Sequence, residues 1–113
     1  MIETRDATLL RIYLGEQDRT EGHLTFEMIV THARENGLAG ATVLRGPLGF
    51  GHSHRLHTAK ILRLSEDLPV VVEIVDDENK VKQFVPVVDA MMQGGLITTE
   101  KVQVLHYAPR PAG

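Results

Sequence analysis

The chain has 113 residues, 42% of them apolar, with 12 Lys+Arg against 15 Asp+Glu, no Cys and no Trp. That length fits one domain, residues 1–113, with a single small core built from Val, Leu and Ile; the lack of Cys excludes disulfides and thiolate metal sites. A net charge of −3 speaks against general nucleic-acid binding, and with neither a signal peptide nor an apolar run near the roughly 20 residues of a membrane helix, a cytoplasmic location is expected.

Residues 7–14 read as a strand, with Leu10, Ile12 and Leu14 on one face and Leu9, Arg11 and Tyr13 on the other. A polar connection, 15–22, leads to a predicted helix over 24–36, where Phe26, Ile29, Val30 and Ala33 make one apolar stripe. Gly37 supplies the left-handed residue that ends this helix, and Leu38 can pack back on its last turn. Residues 41–45 read as a short second strand. A glycine-rich loop runs from there to about residue 59, the 60–64 stretch is extended or irregular, and residues 50–64 are expected to be flexible. The run Leu68-Pro-Val-Val-Val-Glu-Ile-Val75 suits a central strand buried on both faces, with Pro69 at its start, where a missing N–H is tolerated. Asp76 or Asp77 can cap a second helix that reaches Met92. Its apolar stripe is Val81, Phe84, Val85, Val88, Met91 and Met92, and Pro86 should kink or divide it. Gly94-Gly95 ends it, residues 98–107 form the last strand, and the tail, 108–113, is expected to be disordered.

Strand-helix-strand, twice over, predicts an α+β fold: a ferredoxin-like βαββαβ sandwich with a four-stranded antiparallel sheet and two helices on one face. Right-handed crossovers put the first and third strands in the centre. The other sheet face keeps Leu9, Tyr13 and part of the 70–75 run. A monomer would leave that apolar surface wet, so oligomerisation is expected to cover it.

The chemistry is concentrated in residues 36–65, which contain no Asp or Glu but carry Arg45, Arg55, Lys60 and Arg63. The window is +4; the other eight basic residues face fifteen acidic ones, a balance of −7. Inside it lies Arg45-Gly-Pro-Leu-Gly-Phe-Gly51. No Gly-Lys-Ser/Thr follows, so this is not a Walker loop. Its glycines nonetheless let backbone N–H groups approach an anion closely. A small phosphate-bearing ligand is expected, framed by Arg45, Gly46, Gly49 and Gly51, neutralised by Lys60 and Arg55, and approached by Gly94 and Gly95 from a second loop. The plainer alternatives are a tight turn leaving a strand and a solvated Lys60.

His52-Ser-His-Arg-Leu-His57 offers imidazoles that suit Zn, Cu or Ni. His52 and His54 share one face of an extended segment and His57 does not, so a divalent-metal site would need three chains meeting near an axis. Otherwise these histidines are solvated or bond to ligand phosphate. Glu66-Asp67 and Asp76-Asp77-Glu78 stand at element ends and read as turn and cap groups. No nucleophile–base–orienter set is visible, and Ser53 lacks an elbow; no enzyme activity is expected.

Four runs carry a family resemblance: Leu10-Arg-Ile-Tyr-Leu-Gly-Glu16; Ala39-Gly-Ala-Thr-Val-Leu-Arg-Gly-Pro-Leu-Gly-Phe-Gly51; residues 56–76; and Gly95-Leu-Ile-Thr-Thr-Glu-Lys-Val-Gln-Val-Leu105. Across residues 7–107 the chain resembles domain-of-unknown-function family one-ninety, a group of PII-like proteins. The resemblance implies a homotrimer with its sheets facing the axis and adenine nucleotides bound in clefts between subunits. It also implies a mobile loop between the second and third strands that reports occupancy to a protein partner, often a membrane transporter; members are often encoded beside a fluoride-channel gene. The basic window occupies that loop position. The chain departs from the PII pattern at three points. Gln93-Gly94-Gly95-Leu96 lacks the Lys of the phosphate clamp, Arg110 lies in the tail, and no Tyr stands between Phe50 and Ser65, so uridylylation is not expected. The expectation is a PII-like signalling protein. The second reading is a trimeric metal-binding protein for ion homeostasis, using His52, His54 and His57.

Overall fold

Alternating apolar residues build the first strand, β1 (Arg5–Gly15), which buries Leu10, Ile12 and Leu14 on one face. The computed structural model describes residues 4–50, 57–58 and 67–108. After β1 a small hairpin joins β2 (Arg19–Thr20) to β3 (His23–Leu24). Its turn is Glu21-Gly22, both at positive φ (52° and 82°), the backbone that two-residue hairpin loops require. Helix α1 (Thr25–Glu35) follows and buries Ile29 and Ala33. Gly37 ends it at φ 75°. The Leu38 N–H donates to the Ala33 carbonyl (3.0 Å) and the Gly37 N–H to the Arg34 carbonyl (3.2 Å), the paired bonds that glycine-terminated helices use.

The chain continues through β4 (Thr42–Arg45) and the two-residue pairing of β5 (Leu48–Gly49) with β6 (His57–Thr58). β7 (Pro69–Asp76), α2 (Glu78–Met91) and β8 (Leu96–Val104) complete it. The main sheet runs β4-β7-β1-β8, antiparallel throughout, with the first and third long strands central as the crossover rule requires. Both helices cover the face carrying Leu10, Ile12, Val70, Val72 and Ile74. Val81, Phe84, Val88 and Met91 pack down onto it from α2. Each such side chain contributes about 1.5–3 kcal/mol of hydrophobic stabilisation.

Three expectations change. β7 is central but not buried on both faces: Val70, Val72 and Ile74 are buried, Val71 is half-buried and Val75 is exposed. Helix α2 is a single piece through Pro86, not divided there. Pro86 lies on the exposed side, so water can satisfy the carbonyl that loses its helical partner. β8 starts at Leu96 and ends at Val104, earlier than 98–107, because pairing begins at Tyr13↔Leu96 and β1 runs out at Arg5↔Val104.

The uncovered sheet face is mixed rather than uniformly apolar. Ala7 and Leu9 are already buried by their neighbours, while Tyr13, Leu44, Val75 and Leu96 are exposed. Arg11 stands near its centre. Its Nε donates to Glu73 (2.9 Å) and its Nη1 to Glu100 (3.3 Å). The Glu73 hydrogen bond holds the guanidinium above its usual pKa.

Candidate ligand cleft

A cleft of ≈ 780 Å³ opens at the end of the sheet where β1 finishes and β7 and β8 begin, within the size range of small-ligand pockets. Tyr13 and Gly15 come from β1, Asp18 from the following turn, Arg19 from β2, and Thr25 from the start of α1. Leu48, Gly49 and Phe50 line it from one segment and residues 92–96 from another. Leu48, Phe50 and Leu96 are more than half exposed. The walls are therefore largely apolar, with a few polar groups at one end.

The glycines have distinct duties. A side chain at Gly46 or Gly49 would press on the Pro69 ring, with an added Cβ 3.0 Å and 3.1 Å from Cγ. The Gly46 N–H donates to the Pro69 carbonyl (2.8 Å). Chain leaving β4 thus wraps tightly over Pro69, and this packing alone calls for small residues at both positions. Gly95 sits at φ 108°, where an added Cβ would collide with the Tyr13 carbonyl and with Met92. It is a close-approach residue for the β1–β8 pairing, whereas Gly37 ends a helix.

Space redistributes the charge that looked segregated in sequence. Arg45, from the acid-free window, is ion-paired to Glu16 and does not line the cleft. Asp18 and Asp67 do line it. Asp18 accepts the Gly15 N–H (3.0 Å) and Asp67 accepts the Gln17 N–H (2.7 Å). Oxygens of both carboxylates crowd the space above Gly15, 2.8–2.9 Å from where a Cβ would stand. The cation among the described lining residues is Arg19, whose Nη1 donates to the Gly22 carbonyl (3.1 Å). One end of the cleft therefore accepts hydrogen bonds, and sequence windows could not show this because Asp18 and Asp67 are 49 positions apart.

Of the residues expected at the site, Gly49, Gly94 and Gly95 meet in this cleft, while Arg45 and Gly46 stand beside it. Gly51, Arg55 and Lys60 lie outside the described residues, as do His52 and His54. His57 is described only in its backbone pairing with Gly49. Among the described residues no three His, Cys, Asp or Glu side chains form a metal-holding group, and no helix is long and apolar enough to cross a membrane. The residues that the sequence reading missed are Asp18, Arg19, Thr25 and Asp67. Asp18 and Arg19 were visible only as part of the polar connection at 15–22, and Asp67 only as a turn group.

The model of the family DUF190, described as Uncharacterized ACR, matches residues 7–104. A UPF0166 protein of Aquifex aeolicus is 40% identical over 98 residues, covering 87% of this chain and 92% of that protein. A UPF0166 protein of Methanocaldococcus jannaschii is 37% identical over 92 residues, covering 80% and 84%. Among solved structures, the fold matches CPII, a nitrogen regulatory PII-like protein from Thiomonas intermedia K12, bound to ADP, AMP and bicarbonate. The TM-score is 0.68 at 17% identity, with 94% of each chain covered. It also matches the Bacillus subtilis GlnK-ATP complex, with a TM-score of 0.53 at 14% identity over 86% of this chain and 82% of that one.

Proposed function

The chain belongs to the DUF190 family and has the PII-like fold, and from that premise we propose that it is a regulatory protein that binds an adenine nucleotide in this cleft. The observation that carries the reading is the convergence of Gly49, Gly94-Gly95, Arg19 and the exposed apolar side chains of Leu48, Phe50 and Leu96. The nucleotide-bound states of CPII and GlnK support the ligand class. Phe50, Leu48 and Leu96 offer apolar surface to a base. Backbone N–H groups of the glycine turns and Arg19 suit phosphate. Asp18 and Asp67 repel phosphate but accept from sugar hydroxyls, which favours a nucleotide over bare polyphosphate.

In the same reading Gly51, Arg55 and Lys60 add backbone and charge from the 50–64 loop, and Arg45 and Gly46 hold the rim. Three copies associate through the open sheet faces. The loop passes occupancy to a protein partner, with a membrane transporter or channel as the class of receiver.

Isothermal calorimetry with ADP, AMP and ATP tests the ligand assignment. Saturable binding is expected for at least one nucleotide, weakened about tenfold in Arg19→Ala, the loss of one charge-assisted contact. Absence of heat with all three would reject it.

A further inference from the structure

Two threonine hydroxyls join the β2–β3 hairpin and the start of α1 to the end of α2, beside the cleft. Thr20 Oγ1 lies 2.6 Å from the Met91 carbonyl and 2.8 Å from Thr25 Oγ1. A hydroxyl has one proton to give. Thr20 must give its proton to the carbonyl, which can only accept, so Thr25 donates to Thr20. Thr25 is 2% exposed, so water cannot replace that bond. The Thr25 N–H in turn takes the Asp18 carbonyl (2.8 Å).

The bonds run from Asp18, through the first residue of α1 and the β2–β3 hairpin, to the last residue of α2. Met91 is where helical bonding fails and its carbonyl needs an outside partner. Immediately after it comes the 92–96 wall, which has to bring Gly95 against the Tyr13 carbonyl. The Met92 N–H bonds only within its own turn, to Asp89 (3.2 Å).

We propose that Thr20 and Thr25 are positioning residues for the cleft: their hydroxyl relay fixes the end of α2 relative to the 15–19 turn and so sets the place of the Gly94-Gly95 wall. Neither needs to touch the ligand. Thr20 acts through Met91, and Thr25 acts through Thr20 and Asp18.

The test uses Thr20→Val, which keeps shape and removes the donor, with Thr20→Ser as the conservative control. The first readout is amide exchange in the ligand-free protein. Thr20→Val should speed exchange at Met91 and Met92, the bonded amides that end α2, while leaving β1 and β7 amides at wild-type rates, and Thr20→Ser should restore protection. The second readout rests on the nucleotide reading: the Kd for ADP should rise about tenfold in Thr20→Val, the factor one buried hydrogen bond carries, and recover in Thr20→Ser. Unchanged exchange at Met91 and Met92, or equal acceleration everywhere, overturns the relay. If Thr20→Val does not fold, Thr25→Val decides by the same exchange measurement, since it removes the second hydroxyl and leaves the Met91 bond. A wild-type protein that binds no ADP removes the nucleotide reading, while the exchange readout still decides the relay.

Discussion

Asp76 shows how one side chain can hold two junctions. It is buried at 5% exposure, accepts the Ala39 N–H (2.8 Å) and the Asp77 N–H (2.7 Å), and so ties the α1–β4 connection to the β7–α2 junction. Replacing it with Ala leaves two N–H groups without an acceptor. Asp76→Ala should lower unfolding free energy by about 2–3 kcal/mol in urea titration, and Asp76→Asn by less, since its amide oxygen still accepts. An unchanged midpoint would mean water takes over both groups. In sequence Asp76 reads as a cap, because capping is a local pattern; beside the adjacent Asp77 N–H, its other partner, Ala39, is 37 residues away. The glycines near it in chemistry were legible only as glycines. That Gly46 and Gly49 answer to the ring of Pro69, and Gly95 to the carbonyl of Tyr13, depends on contacts between distant strands. Arg45 is the same case: its charge was plain, but its partner Glu16 lay outside the acid-free window.

Elements were more legible than side-chain partners wherever one period dominates. The stripes of α1 and α2, the ending at Gly37 and the four long strands follow from local pattern. The β2–β3 hairpin does not, because each strand has two residues and its turn is Glu-Gly rather than the favoured Asn-Gly or Asp-Gly. Glu21 holds φ 52° without the backbone tolerance of Asn. Glu21→Asn should therefore stabilise the protein by about 0.5–1 kcal/mol, read as a higher thermal midpoint. A lower midpoint would show that the Glu21 side chain contributes something beyond the turn. This hairpin carries Arg19 and Thr20, so its geometry also bears on the cleft.

At the scale of the whole molecule, the sheet is half covered. The predicted topology matches the observed strand order, because crossover handedness leaves few choices. The uncovered face was also foreseen, but not the Arg11–Glu73–Glu100 group within it, which arises from cross-strand register. One guanidinium against two carboxylates leaves a net charge of −1, so burying the group in an interface calls for a further cation or donor opposite it. Self-association through this face should bury Leu44, which is 49% exposed on the edge strand β4. Sedimentation velocity should find the wild type as a trimer and Leu44→Asp as a smaller species. A wild type that remains monomeric at high concentration would remove the association reading.

Tyr13 and Leu96 face each other across the β1–β8 pair, stand on the open sheet face and also line the cleft. If the proposed assembly and nucleotide complex both form, they draw on the same two side chains, and the two equilibria are linked. Whatever factor assembly applies to ligand affinity, ligand must apply to assembly. On that proposal the ligand level that elicits a response would be set partly by how much of the protein is made, and dilution alone would shift it.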